Sequence, residues 1–146
     1  MRVVDMPDIV VKYVGGVAPT YQTVDSAGCD VSALEEVVIP AGKWAMVPTG
    51  LKMEIPKGYE CQIRSRSGLA AKEGVFVLNG VGTIDSDYRG EIKVLLANMG
   101  MNDYHISPGD RIAQMVFAPI NQVSFKKVGS LSSSERGSGG FGSTGS

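Results

Sequence analysis

Residues 40–60 read PAGKWAMVPTGLKMEIPKGYE, and a Pro-x-Gly step recurs in them at Pro40-Ala41-Gly42, Pro48-Thr49-Gly50 and Pro56-Lys57-Gly58. Proline presets a turn and glycine supplies the positive φ that completes one, so each step reverses the chain. Between the steps lie residues 43–47 and 51–55, too short for ordinary helices and long enough for strands. Outward from this stretch the punctuation continues at Asn79-Gly80, Arg89-Gly90, Asn98 to Asp103 and Pro108-Gly109-Asp110. The runs at 75–78, 91–97 and 112–118 are rich in Val, Ile, Leu and Phe. The one helical exception is 67–74, where Ser67 is placed to cap a turn or two of helix ended by Gly74. The expected fold is all-β, a sandwich, jelly roll or barrel, because no helices alternate with the strands as a doubly wound nucleotide fold requires.

The chain has 146 residues, 43% hydrophobic and 20% charged, which is material for one core. Fourteen Lys plus Arg against 15 Asp plus Glu leave a net charge of -1, so no bulk field exists to hold nucleic acid or an anionic membrane. Any phosphate recognition must be local. No run approaches a membrane span, and Asp5 and Asp8 near Met1 do not fit an export signal; the expected location is cytoplasmic. Cys29 and Cys61 form no CxxC pair and are read as reduced thiols. His105 is the only histidine and sits in a polar stretch read as a solvated loop, so the chemistry is expected to run without it.

From Gly129 the composition changes: 13 of the last 18 residues are Gly or Ser. Such a segment cannot build a core, which divides the chain into a domain at 1–128 and a flexible arm at 129–146. The arm contains a formal GxGxxG, Gly137 to Gly142, yet no strand leads into it and a Rossmann reading fails. Its glycines still expose backbone N–H groups to an anion, Arg136, Ser138, Ser143 and Thr144 add donors, and Phe141 offers a stacking face. Arg64-Ser65-Arg66-Ser67-Gly68 precedes the short helix and has two readings, an anion site or an ordinary capped turn. Asp85, Asp87 and Tyr88 lie in an excursion between apolar strands, as turn formers or as a general base beside a sugar-sized surface.

Five segments together, AGCDVSA at 27–33, RSGLAAKEG at 66–74, LNGVGTIDSDYRGE at 78–91, GDRIAQMVF at 109–117 and RGSGGFGSTG at 136–145, resemble the trimeric dUTPase family in order and spacing. Cys29, Val31 and Ser65 depart from that pattern, at positions that touch packing rather than chemistry. The resemblance implies a jelly-roll-like distorted β-barrel assembled as a homotrimer, with active sites shared between subunits and closed by the arm. It further implies that Asp85 activates a water for attack on the α-phosphorus of dUTP, giving dUMP and pyrophosphate, with Mg²⁺ held through waters near Asp30. By the same resemblance Arg66, Ser67, Gly68 and Gln114 contact the phosphates, and Arg136, Ser143 and Thr144 their far end. Asn79, with the main chain at Gly82, Thr83 and near Lys93, selects uracil; Tyr88 packs on the deoxyribose; Phe141 covers the base, and Gly142 beside it is a further substrate-binding residue. Arg111 is either structural or a brace for the site. Two other readings stand beside this one: a dCTP deaminase-like enzyme of the same fold, and a non-catalytic dUTP-responsive regulatory protein.

Overall fold

A computed structural model describes residues 9–143. Eleven strands and one helix follow in the order β1 Lys12–Val14, β2 Cys29–Ser32, β3 Val37–Ile39, β4 Trp44–Pro48, β5 Lys52–Glu54, β6 Tyr59–Arg64, α1 Ser67–Glu73, β7 Val75–Val77, β8 Gly82–Ile84, β9 Lys93–Asn98, β10 Tyr104–Ile106 and β11 Arg111–Pro119. They pair antiparallel into a four-stranded sheet β2-β11-β6-β8, a three-stranded sheet β4-β9-β7, and the pairs β1-β5 and β10-β3. Together they form the all-β architecture read from the turn spacing, in the jelly-roll-like form the family resemblance implies.

The three Pro-x-Gly steps do turn the chain. Gly42, Gly50 and Gly58 all take positive φ, and Lys43 N–H bonds the Pro40 carbonyl as Tyr59 N–H bonds that of Pro56. The middle step is different because Thr49 is buried. Its hydroxyl donates to the Ile92 carbonyl at 2.6 Å and accepts from Leu51 N–H at 3.1 Å, locking that crossing to the chain just before β9.

Period-2 alternation sends Cys61 and Ile63 of β6 inward. They meet Cys29, Val31, Ile39, Leu51, Leu96, Ile106 and Met115 in one core. In β11 the alternation breaks: Ile112 and Ala113 are both buried, because a register shift between Arg111 and Ala113 inserts an extra residue opposite β2. Beyond it Gln114 stands opposite Asp30 on one side and Arg64 on the other. The bulge therefore sets which polar side chains share a face with Asp30.

Three local expectations are corrected. Ser67 is the first residue of α1 rather than its cap; Arg66 holds the extended N-cap conformation with no side-chain cap bond. Gly74 does end the helix, in the left-handed conformation. His105 lies in β10 rather than in a loop, although it is exposed. Tertiary pairing with β3 recruits this polar stretch to a sheet that local composition does not announce. Asn98, read as the first residue of a turn, is the buried last residue of β9. Its side chain pays for that burial by bonding the turn that follows.

Candidate active site

Four of the five motifs converge on two separate clefts. The first, about 370 Å³, is lined by Gln22, Ser26, Ala27, Gly28, Asp30, Arg66, Ser67, Gly68, Arg111 and Gln114, and so unites the first, second and fourth motifs. The second, about 540 Å³, gathers Asn79, Gly82, Thr83, Ile84, Asp85, Tyr88 and Glu91 of the third motif with Met46, Ile63 and residues 92–95, Lys93 among them. The two share no lining residue.

In the first cleft Asp30 is only 6% exposed. A buried carboxylate needs partners, and it has two arginines: Arg111 Nη1 at 3.1 Å from Oδ2 and Arg66 Nε at 3.6 Å from Oδ1. Arg66 Nη1 also donates to the Arg111 carbonyl at 2.9 Å. Asp30 and Arg111 thus fix the Arg66 guanidinium at the rim, and Arg111 braces a charge cluster. Gly28 is small because Gln114 needs the room: a Cβ there would stand 2.8 Å from Gln114 Oε1. Ser65 Oγ accepts from Val77 N–H at 2.8 Å and ties the start of α1 to β7. The Cys29 thiol next to Asp30 is pushed up by burial, an effect the Tyr21 hydroxyl partly offsets by hydrogen bonding.

The second cleft is framed by main chain. Gly80 takes φ 79° in the turn after β7. Val81 N–H bonds the Asn79 carbonyl, and Leu78 N–H bonds the Leu95 carbonyl, which fixes the excursion against β9. A Cβ on Gly82 would lie 3.3 Å from Asn79 Nδ2 and 3.2 Å from Ile63 Cβ, so glycine here lets the amide stand beside β8. After β8, Tyr88 N–H bonds the Asp85 carbonyl and closes a turn. Arg89 reinforces that turn through its Nη1, which donates to the Ser86 carbonyl at 2.6 Å. Asp85 and Tyr88 are therefore held as one rigid unit at the cleft wall, an acceptor beside an aromatic surface.

Arg136, Phe141, Gly142 and Ser143 line neither cleft. Their segment forms turns bonded to itself: Arg136 Nε donates to the Gly139 carbonyl at 2.7 Å, and Ser143 N–H to that of Gly140. Phe141 is fully exposed and holds a positive φ, 54°. Thr144 lies outside the described residues. The motif reading missed Gln22 and Ser26, carried over the first cleft because Thr20 bridges to Asp30 by two backbone bonds. It gave Glu91 no role, although its Oε2 accepts from Gly50 N–H at 3.1 Å and its carbonyl from Tyr88 Oη.

Metal chemistry is constrained by the donor set. Among the described residues no group of three His, Cys, Asp or Glu is placed to cage an ion. Among the described residues Asp30 is the only carboxylate lining the first cleft, and its oxygens already face arginines. This arrangement fits a cation carried mainly by a ligand's own phosphates and touched by Asp30 through water. No helix among the described residues is long and apolar enough to cross a membrane.

Comparison with known proteins finds one family. The family described as dUTPase matches residues 16–145. A deoxyuridine 5'-triphosphate nucleotidohydrolase of Anaplasma marginale is 58% identical over 130 residues, 87% of this chain and 88% of the relative. One from Nautilia profundicola is 55% identical over 127 residues, 87% of this chain and 89% of the relative. Among solved structures, a point mutant of the dUTPase of Staphylococcus bacteriophage 80alpha with dUpNHpp superposes with a TM-score of 0.85 at 26% identity, covering 92% of this chain and 98% of that one. A dUTPase from phage phi11, described as coordinating a structural Mg(II) ion, reaches 0.77 at 23% identity, covering 85% and 99%. A family match across nearly the whole length, with the motifs gathered around clefts of the same fold, makes this chain a member of the dUTPase family.

Proposed function

We propose that the chain hydrolyses dUTP to dUMP and pyrophosphate, in a homotrimer whose sites are assembled from different subunits. The observation that carries the shared site is the separation of the two clefts: phosphate-type donors line one, and the acid, the aromatic ring and the polar main chain line the other. A nucleotide whose base sits in one cleft and whose phosphates meet Arg66, Ser67, Gly68 and Gln114 of another copy uses both. Among the described residues the hydrogen bonds of the turns at 136–143 stay within 134–143, so Arg136, Phe141, Gly142, Ser143 and, beyond them, Thr144 are read as the arm that closes the site. Residues 129–146 form this arm and 1–128 the jelly-roll domain.

Asp85 accepts a proton from a water as its oxygen bonds to the α-phosphorus. The bond from that phosphorus to the bridging oxygen breaks, and pyrophosphate leaves with the electron pair. Positioning supplies much of the acceleration, since an ordinary carboxylate is a weak base. Arg66, held by Asp30 and Arg111, neutralises phosphate charge without reorganising at the moment of reaction. Mg²⁺ bound to the triphosphate would neutralise further charge and hold its oxygens in one conformation, with Asp30 facing the ion through water.

Uracil is selected by Asn79 and the main chain at Gly82 and Thr83, with the β9 strand at Lys93 opposite. Cytosine reverses the donor and acceptor of the pairing edge, so fixed backbone groups would be left unpaired. Tyr88 lies against the sugar and refuses a 2′-hydroxyl. The reaction is placed in the cytoplasm, where free thiols such as Cys29 and Cys61 persist.

Two measurements test this reading. Asp85→Asn should lower kcat for pyrophosphate release from dUTP by about 10²–10⁴-fold with KM little changed; a wild-type rate would remove Asp85 as the base. Asp85→Asn and Arg66→Ala chains, each inactive alone, should regain activity when co-refolded, because hybrid trimers restore one intact site. Absence of recovery would sink the shared-site arrangement.

A further inference from the structure

The turn carrying Asp85 folds its tyrosine back onto the glycine two residues later. Tyr88 Oη donates to the Glu91 carbonyl at 2.9 Å, and the ring lies over Gly90. A Cβ built on Gly90 would stand 2.4 Å from Tyr88 Oη, 2.6 Å from Cζ and 3.0 Å from Cε1, all inside ordinary contact. The three nearest atoms all belong to the far end of one side chain. Gly90 is not among the glycines with positive φ, so its conformation is open to any residue. Gly80, in the same excursion, is the opposite case: φ 79° and nothing within 4 Å of a Cβ. One glycine serves the turn; the other serves the tyrosine.

From this we infer that Gly90 is a specificity-determining positioning residue, the floor on which the Tyr88 ring lies and which sets the room left for the sugar's 2′ position. The inference rests on the sugar-facing role of Tyr88 proposed above. Tyr88 is 47% exposed, and the contacts that fix the height of its ring include this floor and the Glu91 carbonyl. A methyl group at position 90 forces the ring to yield by about 1 Å and pulls Oη off its carbonyl. The ring then swings, and steric refusal of a ribonucleotide is relaxed because refusal requires a wall at a fixed height.

The experiment measures kcat/KM for pyrophosphate release from dUTP and from UTP, with Mg²⁺, for the full chain and for Gly90→Ala, Tyr88→Ala and the double variant. Both rates come from one preparation, so any loss of folded protein cancels in the dUTP/UTP ratio, and Gly90→Ser repeats the test with a second Cβ. The ratio is expected to fall at least about tenfold in Gly90→Ala and in Tyr88→Ala, with no further fall in the double variant. A wild-type ratio in Gly90→Ala and Gly90→Ser alongside a reduced one in Tyr88→Ala overturns the inference and leaves the sugar reading standing. Additive losses in the double variant also overturn it, since the glycine would then act otherwise than through the ring. A wild-type ratio in Tyr88→Ala removes the sugar reading and the inference with it.

Discussion

Cys61 shows how a single side chain reports on the core. It has no exposed surface, and burial pushes its thiol up to about 12, with the nearby Cys29 and Glu60 adding to the rise. The folded protein therefore keeps a proton that the unfolded chain releases above its ordinary value of 9.0. Stability linked to this group is complete below that value and is lost as pH climbs from 9.0 toward about 12. Burial raises Tyr21, Cys29 and Tyr104 in the same direction. Urea unfolding should accordingly show constant stability from neutral pH to 9 and a steep fall above it, and iodoacetamide at pH 8 should label Cys61 only after denaturation. Labelling of the native protein at the denatured rate would mean that the β6 core opens freely.

At the scale of elements, the β9–β10 connection depends on Asn98, 1% exposed at the end of β9. Its Nδ2 donates to the Ile39 carbonyl at 2.9 Å and the Asn102 carbonyl at 2.8 Å, and its Oδ1 accepts from Gly100 N–H at 2.9 Å. One amide joins β3, β9 and the turn before β10. Asn98→Ala leaves those backbone groups short of partners and should cost about 2–4 kcal/mol in chemical denaturation, with dUTP turnover per folded molecule little affected. Helix α1 works by a related economy. None of its residues is fully buried, so Leu69, half-buried against the core, is helped by the ends: the Ser65 bond to β7 before it, and Gly74 at φ 68° after it, where a Cβ would stand 2.9 Å from Gly100 N. That is how a seven-residue helix with only Leu69 turned to the core still holds Ser67 and Gly68 at the cleft.

For the whole molecule, the decisive fact is that the buried core ends before the C-terminal segment begins. The buried cluster ends with Met115, and β11 ends at Pro119. Past the bond from Ile120 N–H to the Gly58 carbonyl, the described hydrogen bonds of the C-terminal segment are local. Removing residues 136–146 should leave the melting temperature within a few degrees of the intact chain, since no core contact is lost. On the proposed closure of the site by the arm's cation and ring, turnover of dUTP should fall by at least about a hundredfold. Full activity in the truncated chain would exclude the arm from the site. A collapse in melting temperature would show that the arm supports the fold.

The sequence by itself determined whatever depends on neighbours along the chain. Glycines after prolines forced the turns at 40–42 and 56–58, short β-branched runs between them left only strands, and the five motifs carried the family and the candidate residues. The tertiary structure alone decided what depends on pairing between distant strands. It enlisted His105 in β10, carried Gln22 and Ser26 over Asp30, and used the bulge at Arg111 to face Gln114 toward the same acid. It also separated the motifs into two clefts, because β8 and the excursion around it pack on β6 and β9 while the first and fourth motifs pair as β2 and β11. Periodicity records which face of a strand is apolar; partner and register are fixed only when all the apolar faces are buried together.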